Sequence, residues 1–167
     1  AQMEKVGPRT YNGAYDPQAG WDAIKDGTAD MIVLEHAPHS KEDVDPGWKD
    51  LFSVPLGVTG AQEYIPLLMN AVNEGRLTLN DVARLAAEAP ARRFGIFPRK
   101  GVIQPGSDAD FTLVDMSREI VFRNEDMLSR TGYSSWEGMR AKGAGQYTIV
   151  RGAIVAEGGK LVGAPGY

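Results

Sequence analysis

Residues 29–40 read Ala-Asp-Met-Ile-Val-Leu-Glu-His-Ala-Pro-His-Ser, and this stretch decides the fold that the sequence predicts. Residues 31–34 are four consecutive apolar residues, a pattern typical of a strand buried on both faces of a parallel sheet. Glu35, His36 and His39 follow directly, and they include both histidines of the chain. Because catalytic groups collect at the C-terminal ends of parallel strands, we expect an active-site rim here. An ordinary surface turn would explain the same residues.

The composition is that of a globular chain of 167 residues, 43% hydrophobic and 24% charged, with a net charge of −4. No basic stripe is present to neutralise phosphates, so we expect no nucleic-acid partner. No apolar run approaches the roughly 20 residues that cross a bilayer, so we expect no membrane association. The chain has no cysteine, which excludes disulfides and thiolate metal ligands. This fits a reducing compartment, and we expect a cytoplasmic protein.

Helical patterns lie on both sides of the opening stretch. Asp16-Pro17 predicts the start of a helix that Gly27 ends. Residues 61–75 carry apolar side chains at helical spacing. Thr78-x-x-Asp81 is a capping box that predicts the start of another helix, and we expect Pro90 to end it.

The hydrophobic period changes from helical to alternating near residue 96. Short strands are predicted at residues 110–115, 119–122, 147–150 and 153–155. Arg151-Gly152 joins the last two, whereas residues 128–145 show no clear period. The sequence therefore predicts a helical part, residues 1–95, and a β-rich part, residues 96–167.

Five pieces of the chain, taken together and in order, resemble the cyclic amidohydrolases, the family of dihydroorotase, allantoinase and hydantoinase. Each piece alone is a weak signal, but their joint order is specific. The pieces are Lys25-Asp26-Gly27-Thr28-Ala29-Asp30, His36-Ala37-Pro38-His39, Pro55-x-Gly57-x-x-Gly60, Ala89-Pro90-Ala91-Arg92-Arg93-Phe94-Gly95 and Lys100-Gly101-x-Ile103-x-x-Gly106-x-Asp108-Ala109-Asp110.

The resemblance implies an α/β fold that is the C-terminal part of a (β/α)₈ barrel together with strands of a small β-sandwich domain. Residues 31–34 would be the last barrel strand, and residues 1–95 would hold that strand and its helices. Residues 96–167 would be the β-rich part of the composite sandwich. The chain would then be a portion of a longer enzyme.

The resemblance also assigns a catalytic carboxylate. In the family, a carboxylate at the end of the eighth strand binds one metal of a two-zinc centre and carries the proton of the attacking hydroxide to the leaving nitrogen. Glu35 stands at this position, where the family has Asp. Glu is one methylene longer, and a displacement near 1 Å can cost on the order of 100-fold in rate.

Substrate contacts follow from the same resemblance. His39 matches the dihydroorotase imidazole that holds the substrate's carboxylate, and the backbone around Val54 and Pro55 matches the loop that closes over this group. Gly7 stands where the family has a substrate-contacting Asn. The expected substrate is therefore a small cyclic amide whose identity the sequence leaves open.

The histidine count limits what the chain does alone. The family's zinc centre uses four histidines and a carboxylated lysine from earlier strands, whereas this chain has only His36 and His39. We therefore expect that the isolated chain binds no stoichiometric zinc and that the missing ligands come from an N-terminal barrel part or from another chain. An exposed edge of the partial barrel predicts self-association into a homo-oligomer.

Three hypotheses follow. The chain is the C-terminal portion of a metal-dependent hydrolase of cyclic amides, inactive in isolation. Alternatively, it is a non-catalytic amidohydrolase-like module for binding or assembly, which the departures at Glu35 and Gly7 would suit. The third hypothesis is a metal-free enzyme in which Glu35 and His39 form an acid/base pair.

Overall fold

A computed structural model describes residues 17–55 and 57–164 of the chain. By contacts, these residues fall into two units. The first unit holds residues 34–64 and 120–141, and the second holds residues 18–33, 65–119 and 142–164. Units defined by contacts need not coincide with the barrel and sandwich domains of a larger enzyme. The predicted division into a barrel part, residues 1–95, and a sandwich part, residues 96–167, therefore stays a prediction.

The helical elements are short, and several of them follow one another directly. The α-helices are α1 Pro17–Asp26, α2 Lys41–Val44, α3 Tyr64–Asn73, α4 Leu79–Ala83 and α5 Ala89–Arg93. Single 3₁₀ turns span Asp45–Trp48, Leu51–Ser53 and Asn124–Asp126, and a π-helical turn spans Arg84–Glu88. None of the described helices is both long and apolar enough to cross a membrane.

The strands form one sheet of four, in the order β1-β2-β3-β4. They are β1 Phe111–Val121, β2 Arg140–Val150, β3 Ala153–Glu157 and β4 Lys160–Leu161. The predicted hairpin is confirmed, because β2 and β3 pair antiparallel with Val150 opposite Ala153. Its turn residues Arg151 and Gly152 both have positive φ, 48° and 83°. This is the backbone of a two-residue turn that matches strand twist.

The predicted helices exist, and the capping box is confirmed. The Thr78 side chain accepts a hydrogen bond from the Asp81 N–H at 3.1 Å, and the Asp81 carboxylate accepts one from the Thr78 N–H at 2.9 Å. Helix α1 ends before Gly27, whose φ is 83°. A left-handed residue at this place satisfies the last helical carbonyls without the strain that a Cβ would add.

The prediction that Pro90 ends its helix is wrong, because α5 continues through Pro90 to Arg93. Proline lacks an N–H and clashes with the carbonyl four residues earlier, so it is tolerated only in a first turn. The π-helical turn supplies such a place: the Ala89 N–H donates to the carbonyl of Arg84, five residues earlier. Pro90 then lies in the first turn of a new α-helical segment.

The predicted strand at residues 31–34 is also wrong in this structure, since residues 28–40 take no regular secondary structure. Val33 and Leu34 are 66% and 38% exposed and not buried on both faces. A parallel strand is held by hydrogen-bonded neighbours, whereas here the Ile32 N–H donates to the carbonyl of Leu85 in the π-helical turn, at 3.0 Å. The described residues therefore form no barrel strand at this position.

Strand β1 is one strand where two were predicted, and β2 begins at Arg140, seven residues before the predicted start. The early part of β2 has no alternating pattern because small residues are required there. A Cβ on Gly143 would lie 2.5 Å from the Cβ of Met69 in α3. The Asn73 side-chain amide also donates to the carbonyls of Met116 and Lys142, at 3.1 and 2.8 Å, and so ties α3 to both strands.

The motif from Lys100 to Asp110 is explained by an ion cluster in the second unit. The Lys100 ammonium contacts the carboxylate of Asp110 and lies 2.9 Å from that of Asp108. Asp110 also accepts the Arg151 N–H at 2.7 Å, next to the β2–β3 turn. The hydrogen bond from Lys100, and then that from Arg151, holds the pKa of Asp110 below its ordinary value of 3.8.

We predict that Asp110 makes folding stability depend on pH. Because its pKa is lower in the folded state, its contribution is present above pH 3.8 and is lost as the pH falls through the lower folded pKa. Asp110→Asn should therefore lower the melting temperature near neutral pH and flatten its fall below about pH 4. Thermal unfolding followed by circular dichroism tests this, with Asp30→Asn on the exposed Asp30 as the matched control. Parallel curves for wild type and Asp110→Asn would contradict it.

Candidate functional site

The loop that holds Glu35 and both histidines lies in the first unit, against the turn of residues 57–60. The Ala37 N–H donates to the carbonyl of Val58 at 3.0 Å. Ser40 caps α2 by accepting from the Asp43 N–H at 3.2 Å, and this fixes the far end of the loop. The loop is thus held at Ala37 and at Ser40, although no strand precedes it.

Two glycines allow this close approach. A Cβ on Gly57, whose φ is 152°, would lie 2.4 Å from the carbonyl oxygen of Ala37. A Cβ on Gly60 would lie 2.7 Å from Cδ1 of Leu34. Atoms do not approach this closely, so both positions need glycine for space. This explains the two glycines of the Pro55-x-Gly57-x-x-Gly60 pattern.

His36 locks the same turn. Its Nδ1 accepts the backbone N–H groups of Gly60 and Ala61 at 3.1 and 3.2 Å. An imidazole nitrogen that accepts hydrogen bonds carries no proton, so the neutral ring bears its hydrogen on Nε2. Sequence reasoning assigned no role to His36. One feature of the sequence could have indicated the contact between His36 and Gly60: the two residues belong to two pieces of the same family pattern.

The predicted site residues Glu35, His39, Val54 and Pro55 lie in this unit, but no hydrogen bond joins their side chains. Glu35 is exposed, and its carboxylate makes no hydrogen bond or ion pair with the described residues. His39 is half-buried, and its backbone carbonyl accepts the Tyr133 hydroxyl at 3.1 Å. Val54 is half-buried and Pro55 is exposed. Gly7, which stands where the family has a substrate-contacting Asn, lies outside the described part of the chain.

A second segment, residues 122–139, contacts residues 59 and 62 of the turn and the backbone of His39 in the loop. Sequence reasoning missed this segment. The Gln62 side chain donates to the carbonyl of Asp126 at 2.8 Å and accepts the Leu128 N–H at 2.9 Å. The buried hydroxyl of Thr59 donates to the carbonyl of Tyr133 at 3.3 Å. These contacts use backbone groups of a segment without period, so no sequence pattern reports them.

The described residues do not fit a two-zinc centre. No three His, Asp or Glu side chains among residues 17–55 and 57–164 come close enough together to hold a metal ion. Glu35 is one exposed carboxylate, while the Nδ1 of the neighbouring His36 is already engaged by two N–H groups. A catalytic zinc site needs about three protein ligands in fixed geometry. These residues can contribute at most one wall of such a site.

The sequence of the chain matches a known protein family. Residues 17–155 match the model of the amidohydrolase family, which is most of the chain. The chain belongs to the amidohydrolase family.

Among curated relatives, an L-hydantoinase of Paenarthrobacter aurescens is 36% identical over 148 residues, which cover 88% of this chain and 32% of that protein. A dihydroorotase of Pyrococcus furiosus is 38% identical over 135 residues, which cover 81% of this chain and 30% of that protein. The solved L-hydantoinase from Arthrobacter aurescens superposes with a TM-score of 0.89 at 33% identity, over 96% of this chain and 37% of that one. The chain thus spans about a third of the length of the relatives it matches.

We predict that Gly57→Ala disrupts the site loop far more than a glycine substitution elsewhere. The new methyl would overlap the Ala37 carbonyl, so the loop would have to move. Gly106→Ala is the matched control, because Gly106 also has positive φ, 93°, but a Cβ placed there would meet no heavy atom within 4 Å. The control should lose about 1–2 kcal/mol of unfolding free energy through backbone strain alone. Equal losses in chemical denaturation would contradict the close-approach account.

Proposed function

We propose that this chain is the C-terminal portion of a metal-dependent hydrolase that opens cyclic amides at a ring C–N bond, and that the isolated chain is inactive. Membership of the amidohydrolase family and the hydantoinase and dihydroorotase relatives support the reaction class. One observation carries the assignment of Glu35: its carboxylate is exposed and unengaged, yet it lies on a loop held by His36 and two glycines.

A carboxylate without a hydrogen-bonding partner, on a loop held by hydrogen bonds at His36 and Ala37, suits proton transfer. Glu35 would take the proton of the attacking water as the C–O bond forms, and would then return it to the ring nitrogen as the C–N bond breaks. The proton is conserved and the carboxylate is regenerated. His39 would hold an anionic substituent of the substrate, and the backbone at Val54 and Pro55 would close over the same group.

Zinc would be the metal of the complete enzyme, in a binuclear centre. The described residues offer Glu35 as a single candidate ligand, so the other ligands would come from an N-terminal barrel part or from another chain. Exposed apolar side chains in the first unit support such a partner: Trp48 and Phe52 are 62% and 98% exposed, and Leu34 is 38% exposed. Exposed apolar groups that form a contiguous patch mark a surface that another polypeptide covers. We propose that they pack against the rest of the barrel.

Two other hypotheses stay open as proposals. A non-catalytic binding or assembly module would explain why Glu35 replaces the family's Asp. A metal-free pair of Glu35 and His39 has less support, because no hydrogen bond joins the two side chains. The proposed self-association rested on a barrel strand edge, and the described residues do not form that strand. Homo-oligomer formation and a cytoplasmic location therefore stay predictions.

We predict that the purified 167-residue chain retains less than one equivalent of zinc after dialysis against a weak chelator and hydrolyses neither hydantoin nor dihydroorotate. Tight catalytic zinc requires ligands that the described residues do not bring together. Elemental mass spectrometry and a ring-opening assay measure both properties. One or more retained equivalents, with turnover that Glu35→Gln abolishes, would show a complete enzyme and overturn the proposal.

A further prediction concerns His39 in an enzyme completed by the missing part. His39→Ala should weaken binding of an anionic cyclic amide by about 1.5–3 kcal/mol, the size of a charge-assisted hydrogen bond. Folding should change little, because Tyr133 bonds the backbone carbonyl of His39 and not its ring. Isothermal titration and thermal unfolding separate the two effects. If the variant instead unfolds, His39 is a structural residue and its assignment to substrate binding is wrong.

A further inference from the structure

Tyr133 forms hydrogen bonds with both the loop of residues 35–40 and the turn of residues 57–60. Its hydroxyl donates to the carbonyl of His39 at 3.1 Å, and its own carbonyl accepts the hydroxyl of Thr59 at 3.3 Å. Tyr133 is 6% exposed and Thr59 is 1% exposed, so both residues are shielded from water. The two ends of this one residue therefore hold two different parts of the candidate site.

The loop and the turn are also bonded to each other directly. The Ala37 N–H donates to the carbonyl of Val58, and the Gly60 N–H donates to Nδ1 of His36. Together with the two bonds of Tyr133, these contacts form a closed network: loop to turn, turn to Tyr133, and Tyr133 back to the loop. A network whose members are all bonded is more rigid than separate bonds, because one part moves only if several bonds break.

The position of the His39 imidazole depends on the backbone of His39. No hydrogen bond from the described residues reaches this imidazole, so its own hydrogen bonds do not fix it. The backbone is held by the Tyr133 hydroxyl on the His39 carbonyl, and the next residue, Ser40, is held as the cap of α2. A binding group works only if it is held within about 0.5 Å of its productive position.

The tyrosine side chain suits this task. Its hydroxyl lies at the end of a rigid aromatic group with only two side-chain dihedral angles, so little entropy is lost when it is fixed. A phenylalanine would fill nearly the same space, but it would leave the His39 carbonyl without this donor. The effect of the hydroxyl can therefore be separated from the effect of packing.

We propose that Tyr133 is a positioning residue for substrate binding: through the His39 carbonyl it places the imidazole that would hold an anionic substituent of the cyclic amide. This inference rests on the proposed function, from which it takes the role of His39. Tyr133 itself touches no reacting atom and acts only through the backbone of the loop. Thr59 supports it from the turn by holding the Tyr133 carbonyl.

Amide hydrogen exchange of the 167-residue chain, followed by ¹H–¹⁵N NMR, tests the positioning without any need for activity. Tyr133→Phe should speed the exchange of the Ala37 and Gly60 amides about threefold to tenfold, because the closed network is opened. The Phe122 amide, which donates to the carbonyl of Met139 in the same unit, should keep its rate. An equal change at all three amides, or no change at Ala37 and Gly60, would overturn the proposal.

Tyr147→Phe is the matched control for the loss of a hydroxyl. Tyr147 is half-buried in β2 of the second unit, and its hydroxyl bonds none of the described residues, so both loop amides should keep their rates. Thr59→Val removes the bond to the Tyr133 carbonyl and should speed the same two amides. Thr59→Ser keeps the hydroxyl and should retain the wild-type rates. Fast exchange in both Thr59 variants would show that this hydroxyl is not the support.

Kinetics of the enzyme completed by the missing part test the role in substrate binding. Tyr133→Phe should raise KM about threefold to tenfold for dihydroorotate, which carries a carboxylate, and leave kcat and the KM for neutral hydantoin nearly unchanged. A purely structural residue would affect both substrates alike. In the His39→Ala background, Tyr133→Phe should have no further effect on KM, because the group that it positions is absent. Additive effects of the two substitutions would overturn the proposal.

The failure of this inference can be told from the failure of the proposed function. If the completed wild type opens neither ring, the proposed function is wrong, and the exchange rates alone decide whether Tyr133 positions the loop. If the wild type opens dihydroorotate but Tyr133→Phe leaves its KM unchanged, the proposed function stands and the role of Tyr133 is wrong.

Discussion

The arrangement of the candidate site depends on His36, whose Nδ1 accepts the N–H groups of Gly60 and Ala61. In a parallel sheet, the end of a strand fixes the loop that follows it. Residues 31–34 form no strand here, so the loop from Glu35 to His39 is fixed by the turn that follows it in the chain, at residues 57–61. Three contacts take the place of the hydrogen bonds that a neighbouring strand would provide. They are the His36 imidazole on the turn, the Ala37–Val58 hydrogen bond and the close approach of Gly57.

This constraint separates what the sequence could predict from what it could not. Local signals were reliable: the Thr78–Asp81 capping box and the Arg151-Gly152 turn each form by contacts within a few residues. Pro90 misled because a π-helical turn, which has no sequence signature, precedes it. The strand at residues 31–34 misled because an apolar run predicts burial, whereas a strand also needs neighbours to bond.

The candidate site shows the same division. Glu35 and His39 could be named as candidates from the family resemblance, since that information lies in short motifs, and their roles stay predictions. The contact of Gln62 with residues 126 and 128 could not be predicted, because the side chain of Gln62 bonds the backbone of a segment without hydrophobic period. The exposed Trp48 and Phe52 indicate a further surface that the described residues do not cover. Family membership, an unengaged carboxylate and uncovered apolar groups support the proposal that this unit forms one wall of an active site.

We propose that the unit with Glu35 belongs to a longer amidohydrolase. Intact-mass spectrometry of the protein isolated from its natural source tests it most directly. Because the chain covers 30% to 37% of the relatives it matches, we expect a polypeptide about three times as long that contains this sequence at its C-terminal end. A natural product with the 18.1 kDa mass of the 167-residue chain, found without a partner chain, would contradict the account.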